Sequence, residues 1–277
     1  MDLGVTMFFT DRSIGPVELA RAAEERGFSS LFVPEHTHIP TSRATAAPMG
    51  EPLPEQYRRT LDPFVALTAA ATATTRLRVG TGIALVAQRD PIVTAKEVAT
   101  LDLLSGGRFT FGVGFGWNLD ELAHHGVAAA DRRAVVRERV LAMQRLWADD
   151  EASFDGHHVR FGPAWAWPKP VQRPWPPVLI GGAGGPVLFD HITEYADGWI
   201  PIGGRGTTGG IADLRRRFEE VGRDPATLQV VPLGTMPDEA KLAHLASLGI
   251  TECVLDLPSG PPEEVLPVLD AHARYLA

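Results

Sequence analysis

Glu35 and His36 offer the clearest acid–base chemistry in this sequence. They directly follow SSLFVP at 29–34, an apolar run that predicts a β-strand. An imidazole titrates near neutral pH, so His36 could give a proton to a bound molecule or take one from it. The alternative is a loop histidine that only makes hydrogen bonds. His38 lies close by, but no other predicted strand end supplies the remaining ligands of a zinc or iron site, so no metal is expected.

Two glycine-rich runs could hold an anion. Residues 181–185 follow an apolar run and open a predicted helix, where free backbone N–H groups and the helix dipole favour negative charge. Residues 203–206 follow the next apolar run and include Arg205, which could add a charge-assisted contact. Tight turns also require glycine, but two successive runs with an arginine favour a phosphate site.

A third glycine pattern, GVGFGW at 112–117, lies within a predicted strand. Its glycines alternate with apolar residues and do not match the GxGxxG spacing with which dinucleotide-binding folds open a helix. Because glycine lets a ligand approach the backbone closely, the pattern favours a strand lying under a flat ring.

Strand-like and helix-like segments alternate along the whole chain and position these residues. The predicted strands are 3–9, 29–36, 77–86, 108–116, 177–182, 197–202, 228–233 and 251–257. Eight βα units fit the α/β class and, within it, a (β/α)8 TIM barrel; a doubly wound open sheet is the main competitor. In a TIM barrel the active site lies at the carboxyl ends of the strands, where Glu35, His36 and the glycine runs fall.

Two segments interrupt the alternation. Residues 37–60 are too long for an ordinary connection between a strand and a helix, which is typical of a functional or mobile loop. Residues 149–177 form an insertion between the fourth and fifth strands, with a hairpin predicted to turn at Asp155-Gly156 and a proline-rich, aromatic stretch after it. Both segments are expected to cap the barrel mouth.

Composition indicates a globular protein of one large or two small domains, and the eight βα units favour a single domain covering residues 1–277. Hydrophobic residues make up 44% and charged residues 22% of the 277 residues, close to the globular average. A net charge of −8 argues against nucleic acid as the main partner. The single cysteine, Cys253, allows no intramolecular disulfide, and the sequence shows neither a signal peptide nor a membrane span. We therefore expect a cytoplasmic protein without a membrane partner.

Several segments in combination resemble the luciferase-like flavin and deazaflavin oxidoreductases, in particular the branch that uses coenzyme F420. The segments are ELARAAEERGFSSLFVPEH at 18–36, RVGTGIALVAQRDPIVTAKEVATLDLLSGGRFTFGVGFGW at 78–117, HHVRFGP at 157–163, PKPVQRPWPPVLIGG at 168–182 and YADGWIP at 195–201. The resemblance spans nearly the whole chain. It implies a TIM barrel that forms a homodimer and binds a flavin-like tricycle at the barrel mouth.

The resemblance also implies roles for individual residues. A non-prolyl cis peptide at Gly82-Ile83 would support the ring, residues 181–184 would hold the phosphate, and Glu35 and His36 would lie beside the ring as the catalytic residues. The predicted cofactor-binding residues are Met7, His36, Gly82, Ile83, Gly114, Gly116, Trp117, Asn118, Gly181, Gly182, Ala183, Gly184 and Arg205.

Trp117 stands where the similar deazaflavin-dependent sugar-phosphate dehydrogenases have a proton-donating glutamate. That departure disfavours a sugar-phosphate substrate, and we expect Trp117 to line an apolar pocket or pack over the ring. The predicted reaction is hydride transfer between C5 of F420 and a small, largely apolar substrate with an activated C=C, C=N or C=O bond, with His36 exchanging the proton.

Three alternatives stay open. FMN shares the ring system and ribityl phosphate of F420, so a two-component monooxygenase using FMNH2 and O2 is the first. A non-catalytic flavin- or deazaflavin-binding protein is the second, and a phosphate-handling barrel lyase or isomerase is the third. If the cofactor is F420, Arg43, Arg205 or Lys169 could bind its acidic tail. Apolar helices at 92–105 and 131–148 are the candidate dimer contacts.

Overall fold

Eleven β-strands and nine α-helices are present in the residues that the computed structural model describes, 1–204 and 206–276. The strands are β1 (Asp2–Thr6), β2 (Ser30–Val33), β3 (Arg78–Thr81), β4 (Phe109–Val113), β5 (Ala152–Asp155), β6 (Arg160–Ala164), β7 (Val178–Gly181), β8 (Gly198–Ile200), β9 (Gln229–Val230), β10 (Leu233–Thr235) and β11 (Glu252–Asp256). The helices are α1 (Pro16–Arg26), α2 (Pro63–Thr72), α3 (Pro91–Ser105), α4 (Leu119–His124), α5 (Arg132–Ala148), α6 (Pro186–Tyr195), α7 (Thr207–Glu220), α8 (Glu239–Ser247) and α9 (Pro262–Ala273).

The main sheet is parallel and closes through one interrupted strand. Its order is β10-β11-β1-β2-β3-β4-β7-β8-β9, and only Val231 and Pro232 separate β9 from β10. The Val231 N–H donates to Trp199 O, and the Val254 N–H donates to Pro232 O, so β9 and β10 are two parts of the seventh strand of a closed barrel. Proline cannot donate to the ladder, which explains why the predicted strand at 228–233 is broken. The predicted TIM barrel is confirmed.

The helix ends follow the sequence signals. Asp62 and Asp90 cap α2 and α3 by accepting hydrogen bonds from backbone N–H groups of the first turn, and proline occupies the next position in each helix. Gly27 and Gly106 end α1 and α3 in the left-handed conformation. None of the described helices is long and apolar enough to span a membrane.

The 149–177 insertion lies at the end of the barrel away from the mouth. Its predicted hairpin is confirmed, since β5 and β6 pair antiparallel. Lys169 donates to Leu146 O at 2.8 Å, at the carboxyl end of α5, and Gln172 donates to Phe109 O, at the start of β4. The insertion therefore does not cap the mouth, and Lys169 is not placed to bind a cofactor tail there; both predictions were wrong.

Side chains along each strand alternate between the barrel interior and the layer between the strands and the helices. The interior holds a small apolar cluster of Phe32, Leu179, Ile200, Val231, Leu233 and Val254, against which Ile83 packs. Residues of opposite parity pack outward against the helices. Space inside is tight: a Cβ added to Gly112 would lie 2.0 Å from Thr81 O and 2.8 Å from Ile200 Cδ1. The interior glycines are therefore required by packing before any ligand is considered.

Replacing Gly112 by alanine should therefore lower the free energy of unfolding by about 2 kcal/mol or more, because the new methyl group meets backbone that cannot move aside. Gly162→Ala is the matched control, since an added Cβ there has no heavy atom within 4 Å and should change stability by less than about 0.5 kcal/mol. Urea unfolding of both variants measures the difference. Equal stability of the two would contradict the packing argument.

Candidate active site at the barrel mouth

Two aromatic rings lie beside the His36 imidazole at the carboxyl end of the barrel, and a third packs on one of them. The ring of Tyr57, in a 3-10 helix at Glu55–Arg59, lies 5.3 Å from that of His36, and the ring of Trp117 lies 5.7 Å from it, between centroids. Phe8, just after β1, lies 4.6 Å from Tyr57. His36 is only 8% exposed. The acid–base group thus lies in a mostly apolar pocket wall that limits its contact with water.

The buried partner of His36 is Glu121 on α4. His36 Nδ1 lies 2.8 Å from Glu121 Oε2, and the Thr37 N–H donates to Oε1 at 3.1 Å. Glu121 is fully buried. An ionised carboxylate only accepts hydrogen bonds, so this pairing assigns the Nδ1 proton to His36 and leaves Nε2 to exchange a proton with a ligand. Nε2 has no partner among the described residues.

Glu35 points away from His36, as neighbours in an extended chain do. Its Oε2 accepts from the Leu85 N–H at 2.6 Å and its Oε1 accepts from Arg89 Nε at 2.6 Å. Arg89 also contacts Asp62 and Glu97. Burial raises the pKa of Glu35, while the Arg89 guanidinium and the Leu85 N–H oppose that rise. The predicted adjacency of Glu35 and His36 therefore does not produce a hydrogen-bonded pair; Glu35 holds the segment after β3.

That segment carries the predicted cis peptide bond between Gly82 and Ile83. The Ile83 side chain lies against the backbones of the two following barrel strands: a Cβ on Gly114 would be 2.3 Å from Ile83 Cδ1, and a Cβ on Gly181 would be 2.7 Å from Ile83 Cγ2. Ile83 thus occupies the space that we expected a flat ring to take over Gly114. A ring at the mouth would rest on Ile83 instead.

The loops after β7 and β8 meet over the buried Trp199 ring. Trp199 Nε1 donates to Gly182 O at 2.8 Å, and Cβ atoms on Gly184 and Gly210 would lie 2.9 and 2.7 Å from the ring. Neither α6 nor α7 has a side-chain N-cap among the described residues, so backbone N–H groups of both first turns are oriented toward a ligand at this end of the barrel. This is the geometry expected of an anion site. Ala183 is exposed in this loop, and the predicted Arg205 lies outside the described residues.

Of the other predicted ligand residues, Met7 lies away from the mouth, whereas Gly116 and Asn118 shape the chain beside it. Met7 is 1% exposed and packs in the layer between strands and helices, because it has the parity of Val5; Phe8 faces the mouth instead, so the placement of Met7 was wrong. Gly116 turns the chain after β4 with φ of 75°. Asn118 caps α4 by accepting from the Glu121 N–H at 3.2 Å.

The described residues contain no cluster of three or more histidine, cysteine or carboxylate side chains suited to a metal ion.

Comparison of the sequence with known protein families identifies the family of this chain. Residues 15–236 match the family model of the luciferase-like monooxygenases. The chain belongs to this family. The family predicted from the sequence is thereby confirmed.

Three individual proteins illustrate the similarity. An uncharacterized protein of Mycobacterium tuberculosis (strain ATCC 25618 / H37Rv) is 45% identical, over 100% of this chain and 99% of its own length. An F420-dependent glucose-6-phosphate dehydrogenase of Intrasporangium calvum is 31% identical over 69% of this chain, but that match spans only 55% of the dehydrogenase. The crystal structure of a monooxygenase from Streptomyces bottropensis has a TM-score of 0.76 at 21% identity, covering 100% of this chain and 98% of that one.

Sequence reasoning missed two residues of this luciferase-like site. Glu121 lies 85 residues from His36, and α4, which carries it, was not predicted. The Asn-x-x-Glu spacing of Asn118 and Glu121 is a capping signature that could have revealed the helix. Tyr57 lies in the long 37–60 loop, whose irregular backbone gives no periodicity from which its position could be deduced.

Histidines attach the 37–60 loop to the end of α4. Thr37 Oγ1 lies 2.9 Å from His125 Nε2, and His38 Nε2 lies 2.8 Å from His124 Nδ1. Burial, and next the neighbouring His38, lower the pKa of His125. A histidine whose pKa is lower folded than unfolded binds fewer protons in the folded state, so stability is lost as pH falls through and below its ordinary value of 6.5.

His125→Gln should therefore reduce the loss of folding stability on acidification from about pH 7 to about pH 5, because it removes a group that the folded state resists protonating. Glutamine can still bond to Thr37. His157→Gln, at an exposed histidine of the hairpin, is the control and should keep the wild-type pH dependence. Urea unfolding at both pH values measures this; the same slope in both variants would disprove the assignment.

Proposed function

We propose that the chain is an F420-dependent oxidoreductase acting on a small, largely apolar organic substrate. The observation that carries the proposal is the His36–Glu121 pair, which presents a free imidazole nitrogen among aromatic rings at the mouth of a luciferase-family barrel. The partial similarity to an F420-dependent glucose-6-phosphate dehydrogenase supports the choice of cofactor.

The residues present fit a flavin-like cofactor. Ile83 offers an apolar support at the mouth, held from below by the backbones at Gly114 and Gly181. The uncapped first turns of α6 and α7 offer N–H groups to a phosphate. When bound, F420 would supply C5 as the carbon that gives or takes a hydride.

The protein's own part is to exchange one proton and to exclude water. His36 Nε2 is the atom that would give or take that proton, while the hydrogen bond between Glu121 and Nδ1 fixes the orientation of the ring. Burial, and then the charge of Asp256, raise the pKa of Tyr57, so its hydroxyl stays protonated at neutral pH and is available to donate a hydrogen bond near His36.

An apolar substrate is supported by the side chains around the mouth. Phe8, Tyr57 and Trp117 form one wall. Ile202 and Met236, just beyond the ends of β8 and β10, are 57% and 62% exposed and add apolar surface at the same end of the barrel. Trp117 in place of a proton-donating glutamate also supports a substrate other than a sugar phosphate.

The description of the family itself favours a second candidate, a two-component monooxygenase that uses FMNH2 and O2. The free N–H groups after β7 and the support at Ile83 suit either cofactor. Titrating the purified protein with F420 and with FMN, each oxidised and reduced, separates the two. We expect F420 to bind in the micromolar range and FMN to bind more weakly; a preference for reduced FMN would favour the monooxygenase, and binding of neither would contradict both.

The same preparation tests the role of His36. With a panel of ketones, enones and imines as hydride acceptors for reduced F420, His36→Gln should lower turnover about a hundredfold or more, because a positioned acid typically contributes that much, while F420 still binds. His157→Gln should leave turnover unchanged. Cofactor binding without any His36-dependent turnover would instead support a non-catalytic binding protein.

We further propose a homodimer that uses the outer faces of α2 and α3. Val65, Ile92, Val93, Leu103 and Leu104 are all exposed there, with Val65 at 72%. By contrast, the apolar residues of α5 are buried against the barrel, so the earlier choice of the helix at 131–148 as a dimer contact is not supported. Exposed apolar side chains on two helices that pack against each other are typical of a homodimer interface.

Val93→Asp should therefore shift the protein from dimer to monomer, because a carboxylate would have to be buried without a partner in the interface. Val221→Asp is the matched control, since Val221 at the end of α7 is similarly exposed, 55% against 56%. Light scattering coupled to gel filtration gives the molecular mass. A wild-type monomer, or a dimer unaffected by Val93→Asp, would refute this interface.

A further inference from the structure

The carboxylate of Asp256 is an unpaired charge at the barrel mouth. Asp256 ends β11 and is exposed there. Its backbone oxygen accepts a hydrogen bond from His272 Nε2 at 2.8 Å, but its carboxylate oxygens have no hydrogen-bond or ion-pair partner among the described residues. By contrast, Glu35, Asp120 and Glu121 all accept hydrogen bonds from backbone N–H groups. The Asp256 carboxylate therefore has its hydrogen-bonding capacity left for a ligand.

The fold directs this side chain into the mouth. In β11, Val254 belongs to the interior cluster and Leu255 to the outer layer, so Asp256 has the parity of Val254 and points toward the barrel axis. With β9 and β10 counted as one strand, β11 lies four strands from β4 in either direction around the barrel. Ile83 rests on the β4 side, against Gly114 and Gly181. A substrate that approaches a ring resting on Ile83 would lie on the side of the mouth that carries Asp256.

Two aromatic rings lie near this carboxylate. Thr6 on β1 pairs in register with Asp256, and Phe8, two residues further on, has the same parity and faces the mouth. The Phe8 ring lies 4.6 Å from that of Tyr57. Burial raises the pKa of the Tyr57 hydroxyl and the charge of Asp256 raises it further, so Tyr57 lies close to the carboxylate. Both rings are half-buried, which leaves part of each accessible from the mouth.

A carboxylate beside open aromatic rings favours a cation. The faces of aromatic rings attract ammonium groups and pack against the alkyl groups that an amine carries. A carboxylate adds a charge-assisted hydrogen bond to the same nitrogen. A wholly apolar substrate would instead remove water from the carboxylate without replacing its hydrogen bonds, which disfavours binding.

We propose that the substrate carries a positively charged amine on its apolar body, and that this amine binds between the Asp256 carboxylate and the rings of Phe8 and Tyr57. The inference rests on the proposed function and narrows its substrate class to compounds with an alkylammonium group. Asp256 sets specificity in this arrangement, while proton exchange stays with His36.

The free protein should tolerate loss of the Asp256 charge. Partial burial raises the pKa of the Asp256 carboxyl, and the charge of His272 opposes that rise. A carboxyl whose pKa is higher in the folded than in the unfolded protein reduces stability when it is ionised, and this cost disappears as pH falls through the folded pKa. Asp256→Asn should therefore unfold at neutral pH at the same or a higher urea concentration than wild type. A carboxylate with a structural role would show the opposite.

Two isosteric methyl ketones test the proposal, one ending in a dimethylammonium group and the other in an isopropyl group. Calorimetry measures their binding to the protein saturated with oxidised F420, or with oxidised FMN if wild type binds FMN instead. An oxidised cofactor has no hydride to give, so the ketone stays intact. We expect the Kd of the ammonium ketone to be about tenfold or more below that of the isopropyl ketone, and this preference to weaken at high salt.

Asp256→Asn keeps the size of the side chain and should raise the Kd of the ammonium ketone about tenfold, with the Kd of the isopropyl ketone unchanged. Phe8→Leu keeps an apolar side chain without the aromatic ring and should reduce the preference about threefold. Asp150→Asn is the matched control, the same substitution at an exposed carboxylate of the insertion at the other end of the barrel, and should change neither Kd.

Turnover with reduced F420 separates specificity from catalysis. Asp256→Asn should raise KM for the ammonium ketone and leave kcat for the isopropyl ketone at the wild-type value, whereas His36→Gln should lower kcat for both.

Two results would overturn the proposal in distinguishable ways. If wild type binds F420 or FMN but binds the two ketones alike or binds neither, or if Asp256→Asn keeps the preference, the proposed function stands and the assignment of Asp256 fails. If wild type binds neither cofactor, the proposed function fails and the assignment fails with it.

Discussion

The contact of Ile83 with the backbones of two neighbouring strands sets the geometry of the barrel mouth. It requires glycine at 114 and at 181, because any Cβ there would overlap the Ile83 side chain. With Ile83 in this position, the Leu85 N–H points at Glu35 and donates its hydrogen bond to Oε2. Glu35 is therefore committed to the segment after β3. His36, on the opposite side of the chain, must take its carboxylate partner from elsewhere, and α4 provides it in Glu121.

Local patterns were enough to predict the barrel and most of its strand ends. Alternation of short apolar runs with helical patterns fixes the βα units, and capping residues such as Asp62 and Asp90 fix where helices begin. Long-range pairing was beyond such patterns. His36 pairs with Glu121 and not with the adjacent Glu35 because neighbouring side chains of an extended segment point to opposite sides. The wrong prediction for Met7 has the same cause. The place of Lys169 depended on the path of an insertion, which no periodicity describes.

Buried polar groups around the mouth differ in whether the described residues satisfy them. Both oxygens of Glu35 and both oxygens of Glu121 accept hydrogen bonds from the protein itself, so these carboxylates are complete without a ligand and can hold the site rigid. By contrast, Nε2 and Oε1 of Gln88 and Nδ2 of Asn118 have no hydrogen-bond partner among the described residues.

Helix α4 connects access to the site with its acid–base group. Asp120 accepts hydrogen bonds from the Thr45 N–H at 3.1 Å and the Thr45 hydroxyl at 3.3 Å, and so fastens the 37–60 loop that carries Tyr57 over the mouth. Glu121, the next residue, holds His36. Any movement of this loop that opens the mouth must strain or break contacts to the same short helix that orients the imidazole. The loop that carries Tyr57 and the imidazole of His36 are therefore held by two adjacent carboxylates of one short helix.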